Sequence, residues 1–421
     1  MKITIDCRMW SESGIGRYLR NLISELQKLD KKNEYFLLLL KKDYENDELI
    51  MDSRFRGNDK EGNFHKVLAD FRWYTVREQI ELPGLLNRLK SDLVHFPHFN
   101  VPIFYRGKFV VTIHDLIHQH FQMRRVTTLD PLTYKLKHFG YKKVFGVTVR
   151  NAVSIITPSE FVKKQLMDEW DVESRKITVT PEAVDTKLYT TVHSLVQDKV
   201  NEMLDKFNIK KPYVFYVGNA HPHKNVEGLI KAFLKLKSRH SEFNTKYQAS
   251  LISGSVNKIP KQVRNDNRGL QLVLSGANNY FWKKVKEKYN LDSRLRGNDN
   301  VVEDIIFTGF VTDEEMVALY KGAQCFIMPS FEEGFGIPIL EAMAAGCPVV
   351  SSNAGALKEV GGDAAVYFNP HDQGDMVDKI DGVFKDGDLR KELMVKGKKR
   401  VKKFSWKKMA EKTLEVYNET I

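Results

Sequence analysis

Two carboxylates eight residues apart, Glu333 and Glu341, stand in the segment Cys325–Val350, CFIMPSFEEGFGIPILEAMAAGCPVV. The segment reads as strand, glycine-bearing turn, helix, turn and strand, with Glu333 in the turn and Glu341 on the helix. Between them lie Gly334, Phe335 and Gly336, then Pro338, a residue suited to the first turn of a helix. Backbone N–H groups at such a turn point outward and attract anions, phosphate above all. The bare backbone at Gly334 and Gly336 lets a ligand come close. Carboxylates accept hydrogen bonds from hydroxyls and repel phosphate. A ligand with both a phosphate and sugar hydroxyls suits the whole segment, and a nucleotide sugar is such a ligand. Spacing alone leaves another reading open, a buried βαβ unit with Glu341 on a solvated helix face.

Three further groups carry chemistry. Tyr213–Asn225, YVFYVGNAHPHKN, is a strand followed by a tight turn, and it puts Lys224 at the start of a helix over Val226–Leu236. A lysine there can neutralise a diphosphate leaving group through charge-assisted hydrogen bonds worth roughly 1.5–3 kcal/mol each; the alternative is an ordinary surface lysine. Gly14-Ile15-Gly16 opens a helix after the first strand, but Leu19 stands where a dinucleotide fingerprint needs its third glycine. His114-Asp115 ends the strand Phe109–Ile113, at the carboxyl edge where open α/β sheets bind ligands. His95, His98, His118 and His120 crowd nearby. His114-x3-His118-x-His120 is loose for a metal site, no matching carboxylate or thiol set accompanies it, and no metal or other cofactor is expected.

These residues need a scaffold of alternating strands and helices, which the chain supplies throughout. Strands are expected at Lys2–Ile5, Tyr35–Leu40, Leu93–Phe96, Phe109–Ile113, Ser154–Thr157 and Ile177–Thr180. A second series follows at Tyr213–Gly218, Gln271–Ser275, Ile305–Thr308, Cys325–Pro329, Pro348–Ser351 and Val366–Phe368. Ala249–Ile252 rivals Gln271–Ser275 for one place, and the second is preferred. Ile15–Leu29, Ser159–Trp170 and Trp406–Ile421 are expected as helices. With 421 residues and ~150 per domain, two parallel-sheet domains fit, joined near Glu182–His193: 1–185, then 186–403, with 404–421 as a final helix.

Composition narrows the classes. Hydrophobic residues make up 42% of the chain, too many for disorder. No run approaches the ~18 apolar residues of a membrane span, and the N-terminus has no signal-peptide anatomy. The three cysteines, Cys7, Cys325 and Cys347, lack metal-ligand spacing and suit reduced core thiols of a cytoplasmic protein. The net charge of +12 admits anionic partners, but no nucleic-acid recognition motif is present. Arg124–Arg150 holds seven Lys or Arg against one Asp, with Tyr134, Phe139, Tyr141 and Phe145 interleaved. It could rest on anionic lipid at the inner face of a membrane, or be a basic solvated helix. Asp52–Asp59 and Asp292–Asp299, DSRFRGND and DSRLRGND, form a near-repeat of turn chemistry. They resemble peptides encoded by short mobile repeats, so exposed tolerated insertions are expected rather than a paired anion site.

The Glu333–Glu341 spacing, with its flanks, resembles the E-x7-E signature of the retaining glycosyltransferases of family four, which have the GT-B fold: two Rossmann-like domains facing a cleft, the last helix crossing back to the first domain. TPSEFVKKQL (Thr157–Leu166), IIFTGFVTDEEMVALYKGA (Ile305–Ala323), SSNAGALKEVGGDAA (Ser351–Ala365) and FSWKKMAEKTLEVY (Phe404–Tyr417) extend the resemblance over nearly the whole chain. It implies that Glu333 contacts the donor sugar, that Glu341 holds the nucleotide ribose, and that the backbone of Gly334, Phe335 and Gly336 faces sugar and diphosphate. It implies nucleotide-sugar contacts also for Gly14, Gly16, Gly218, Asn219, Lys224 and Val311, and places His114 near the donor sugar. Many relatives carry an arginine where this chain has Asn219, which offers a hydrogen bond but no charge. The PHKN sequence around Lys224 leans towards mannosyl-type donors. A glycan or lipid-linked acceptor would lie against the first domain. A nucleotide-sugar epimerase, a phosphorylase (no lysine for pyridoxal phosphate is identifiable) and a non-catalytic sugar-nucleotide binder are the rivals.

Overall fold

The computed structural model describes residues 1–12, 14–46, 62–121, 131–252, 269–289 and 304–420. Both octapeptides of the near-repeat, and residues 124–130 of the basic stretch, lie outside the described residues. The chain divides into two compact units, Met1–Asp185 with Phe404–Ile421, and Thr186–Lys403.

The first unit is built on a seven-stranded parallel sheet in the order β3-β2-β1-β4-β5-β6-β7. Its strands are β1 (Lys2–Asp6), β2 (Glu34–Leu39), β3 (Phe64–Leu68), β4 (Leu93–Phe96), β5 (Phe109–Thr112), β6 (Ser154–Thr157) and β7 (Ile177–Val179). A fully parallel sheet needs cover on both faces, and strand alternation supplies it. Ile3, Ile5, Leu37, Leu39, Val110 and Ile156 enter one apolar cluster. Leu38, Val94, Phe96, Phe109, Val111 and Ile155 enter another. The first cluster is closed by the helix Gly14–Leu29 and by the final helix Trp406–Glu419 through Trp406, Met409, Val416 and Tyr417. Trp406 Nε1 also donates to Val184 O at 2.9 Å, tying the final helix to the end of the first unit's main segment.

The second unit carries a six-stranded parallel sheet, β10-β9-β8-β11-β12-β13. Its strands are β8 (Tyr213–Val217), β9 (Gln271–Ser275), β10 (Ile305–Gly309), β11 (Cys325–Met328), β12 (Val349–Ser352) and β13 (Ala365–Phe368). The helix beginning at Val226 runs on to Ile252, so Ala249–Ile252 is helical and Gln271–Ser275 is the strand. All three cysteines are buried free thiols, and burial pushes the Cys325 thiol up to about 12. No helix among the described residues is long and apolar enough to cross a membrane.

Candidate functional site

In the second unit, the turns after β8 and β11 are stitched together. After β8 the chain makes one tight helical turn, Pro222–Lys224, and Asn225 adopts a left-handed φ of 53° before the long helix begins. The Asn225 side chain donates to Pro329 O at 3.0 Å, and the Phe331 N–H donates to His223 O at 2.7 Å. Gly228 makes room for this: a Cβ there would lie 2.2 Å from Asn225 Oδ1. Lys224 therefore stands in the turn one residue before the Asn225 cap rather than on the helix. Its Nζ donates to both carboxylate oxygens of Glu333, at 2.7 and 2.8 Å. Both side chains are largely withdrawn from solvent, 18% and 8% exposed, so the pair is stronger than a surface ion pair.

Glu333 is fixed from behind by backbone. The Ala356 N–H donates to Glu333 O at 3.0 Å. Gly355, at φ 59°, permits that approach, since a Cβ would sit 2.5 Å from the same oxygen. The helix Ile337–Ala344 follows, with Gly336 as its N-cap at φ 109° and Pro338 in its first turn. A side chain at Gly336 would meet Leu357 Cδ2 at 2.6 Å, in addition to the strained φ. Glu341 lies buried on this helix, where Tyr320 Oη donates to its Oε2 at 3.1 Å.

Around this pair the carboxyl ends of β8, β9 and β10 are drawn close. Gly218 N–H donates to Ser275 O, and Gly276 N–H to Gly309 O, each at 3.0 Å. Trp282 Nε1 donates to Gly218 O at 3.0 Å. Asn219 Oδ1 accepts from the His221 amide at 3.2 Å, which leaves its NH₂ as the group it can offer a ligand. Val311 is half-buried just beyond β10.

The remaining sequence candidates lie in the first unit. Gly16 is buried in the first turn of its helix, where a Cβ would meet Trp10 O at 2.3 Å; Gly14 is exposed, with open space where a Cβ would be. His114 follows β5. Its Nδ1 lies 3.1 Å from Glu182 Oε1 and its Nε2 3.0 Å from Pro97 O. Both partners only accept, so the ring donates from both nitrogens and is an imidazolium. Burial disfavours that charge, but Glu182, by hydrogen bond and by charge, raises the His114 pKa above its ordinary value. His95 is committed to Tyr417 Oη and Thr112 Oγ1, and His120 to Glu169.

The supporting residues Asn225, Gly355, Tyr320 and Glu182 carry no role that the sequence assigns. The first two carry a local signal, asparagine before a helix and glycine in a turn. Tyr320 and Glu182 act from 21 and 68 residues away and carry none. In the basic stretch, Phe145 is buried and packs on Trp170, and Tyr141 packs on Phe99. Those two rings belong to the core because the helix Pro131–Asn151 covers the sheet; Phe139, 69% exposed, is turned to solvent.

Residues 200–400 match the family described as glycosyl transferases group 1, and residues 13–188 match glycosyltransferase family 4. The O-antigen chain mannosyltransferase B of Escherichia coli is 26% identical over 420 residues, 96% of this chain and 96% of that protein. The serotype-specific mannosyltransferase WbdA of Escherichia coli is 27% identical over 331 residues, covering 77% of this chain but 34% of WbdA. The crystal structure of Anabaena Alr3699/HepE in complex with UDP-glucose shares the fold at a TM-score of 0.66, with 16% identity and 100% of each chain covered.

Proposed function

The chain belongs to the family 4 glycosyltransferases of GT-B fold, and from that premise we propose that it moves a hexose, mannose by preference, from a nucleotide-sugar donor to a glycan or lipid-linked acceptor with retention at the anomeric carbon. The observation that carries this reading is the Lys224–Glu333 pair, 2.7 Å across, set between two glycine-bearing turns at the carboxyl edge of a parallel sheet. Such an edge is where open α/β sheets take their ligands. The mannosyl preference rests on the Escherichia coli relatives, which are mannosyltransferases by name.

The pair gives the two halves of a donor one site. Lys224 commits donors to Glu333 when no ligand is present. Sugar hydroxyls that satisfy Glu333 release the ammonium group for the diphosphate. As the sugar–phosphate bond breaks, negative charge grows on the departing oxygen and positive charge on the anomeric carbon. Lys224 and the amides at Gly334–Gly336, at the positive end of a helix, stabilise the first. Asn219 and Gly218 line the phosphate side, Val311 the nucleoside, and Glu341, held by Tyr320, takes the ribose hydroxyls. In the first unit His114, with both ring nitrogens engaged, has no free nitrogen to offer a ligand, and Gly14 leaves open backbone at its helix start whereas Gly16 is packed under Trp10 O. No covalent nucleophile is invoked. The acceptor oxygen attacks the face that the diphosphate leaves, and the leaving phosphate takes its proton.

Turnover tests this directly. Incubated with a nucleotide hexose and a membrane or glycan extract, the protein should release nucleoside diphosphate, and proton NMR should show the donor's anomeric configuration in the product. An inverted linkage contradicts the mechanism; release without any transfer, whatever the acceptor extract, contradicts transfer as the function. Peripheral attachment to the inner membrane face is part of the same proposal, carried by exposed Phe139, Lys142, Lys143 and Arg150. Co-sedimentation with anionic liposomes should weaken with salt, and equal binding to neutral vesicles rules it out.

A further inference from the structure

At the carboxyl edge of the first sheet, residues remote in sequence hold one aromatic ring out to solvent. Tyr74 lies between β3 and the helix Val76–Leu89, with its backbone at φ 62°, a conformation that ring-bearing residues rarely adopt. What holds it is buried. The Tyr74 N–H donates to Glu78 Oε2 at 2.9 Å, and Asn100 Nδ2 donates to the same oxygen at 2.6 Å. Glu78 Oε1 accepts from Arg8 Nη2 at 2.6 Å, and Arg8 grips Asp6 through Nε and Nη2 at 2.8 and 2.7 Å. Tyr74 itself stays 57% exposed. Its Oη lies 3.3 Å from His98 Nδ1, and the His98 ring packs on Phe99 with centroids 4.0 Å apart. Burial, with the charges of His114 and His118, takes His98 down to about 3, so its ring is neutral and keeps one donor and one acceptor.

We propose that Tyr74 and His98 form the platform that receives the terminal pyranose ring of the acceptor, a proposal that rests on the transferase reading above. A pyranose presents a C–H face that packs on an aromatic ring and a rim of hydroxyls that exchange hydrogen bonds with an imidazole. Tyrosine combines an apolar body with a polar tip at little cost in conformational freedom. A platform locked by a buried network meets its ligand already ordered, which lowers the cost of binding. The occupant is a neutral sugar, because the buried cation beside the platform, Arg8, is spent on two carboxylates, Asp6 and Glu78, and is not held out to an anion. Tyr74 therefore sets which acceptor is taken, apart from the donor residues of the second unit.

Saturation-transfer NMR on the full chain tests this with four probes, the methyl α-pyranosides of mannose, glucose, galactose and N-acetylglucosamine. At least one should receive saturation on its ring protons. The signal should fall to background in Tyr74→Ala and in His98→Ala, and survive in Tyr74→Phe, which keeps the ring. No transfer to any probe, or transfer unchanged in the alanine variants, overturns the platform. Circular dichroism checks that each variant is folded, and His98→Ala carries the test should Tyr74→Ala not fold. Nucleotide-sugar binding, measured in parallel by thermal shift, separates the failures. If it persists while saturation transfer fails, the platform alone is wrong; if both fail, the transferase reading fails with it.

Discussion

The two units hold their polar clusters in opposite ways. In the second, the chemistry is almost contiguous: Glu333 and Glu341 lie on one turn and the helix it opens, and Lys224 comes from the turn of an adjacent strand. Glycine backbone sets their positions, and the Lys224–Glu333 pair is partly open to solvent. In the first unit the clusters are assembled from afar. Asp6, Arg8, Glu78 and Asn100 close one network, and His114 reaches Glu182 across 68 residues of sequence. The Arg8–Glu78 pair, 2% and 0% exposed, is more deeply buried than Lys224–Glu333, while His114–Glu182, 17% and 8% exposed, is withdrawn to the same degree; in both first-unit clusters the charges are satisfied by one another. The contrast separates groups kept available for a ligand from groups that fix a surface.

The largest expected effect breaks the buried network. Arg8→Met leaves Asp6 and Glu78 without their counter-charge, and losing one partner of such a buried pair costs about 3–5 kcal/mol. Chemical denaturation should show that loss, while nucleotide affinity of the folded protein stays unchanged. A matching loss of affinity would erase the distinction between the units. Next comes Lys224→Ala, which should lower kcat at least ~100-fold, as when one preorganised donor is removed from a developing charge. Steady-state kinetics at saturating donor checks it, and a variant of ordinary speed would return Lys224 to an ion-pairing role alone. Glu341→Ala should weaken nucleotide binding roughly 10- to 100-fold, the worth of one hydrogen bond to a charged group. Because a ribose contact persists from ground state to transition state, kcat should change far less; calorimetry and kinetics together read the split.

The smallest effect is a pH dependence. The folded-state pKa of His114 lies above its ordinary value, through Glu182 against the opposing effect of burial. The ring's contribution to stability is then full below the unfolded histidine value of about 6.5 and fades as pH rises through the folded pKa. The melting temperature of wild type should exceed that of His114→Gln most at pH 6, and the gap should close on the alkaline side. A gap that is constant or widens with pH would mean the ring is not an imidazolium.

This contrast also explains what could be read from the sequence. Both parallel sheets were legible, since buried strands such as Cys325–Met328 and Phe109–Thr112 are short, largely apolar runs with breakers beside them. The exception is β3, Phe64–Leu68, FHKVL. It is an edge strand that buries Phe64 alone, so His65 and Lys66 mask it. Glu333, Glu341 and Lys224 were legible because turn, helix start and charge lie within a few residues of one another. The Glu78 partner of Arg8 and the Glu182 partner of His114 were not, because they act from 70 and 68 residues away, and the local capping pattern Thr75-x-x-Glu78 does not mark Tyr74. The aromatic residues of the basic stretch misled for a related reason: Tyr141 and Phe145 sit among lysines in sequence, but their face of the helix meets Phe99 and Trp170.

The central claim is that the Lys224–Glu333–Glu341 constellation holds a nucleotide sugar, and a thermal-shift panel of UDP-, GDP- and ADP-hexoses on the full chain tests it most directly. Ligand at ~100 times its dissociation constant adds about 2.7 kcal/mol of stability. A clear rise in melting temperature is expected with at least one of the three, reduced in Glu341→Ala. No rise with any of them, or a rise that Glu341→Ala leaves untouched, would contradict that claim.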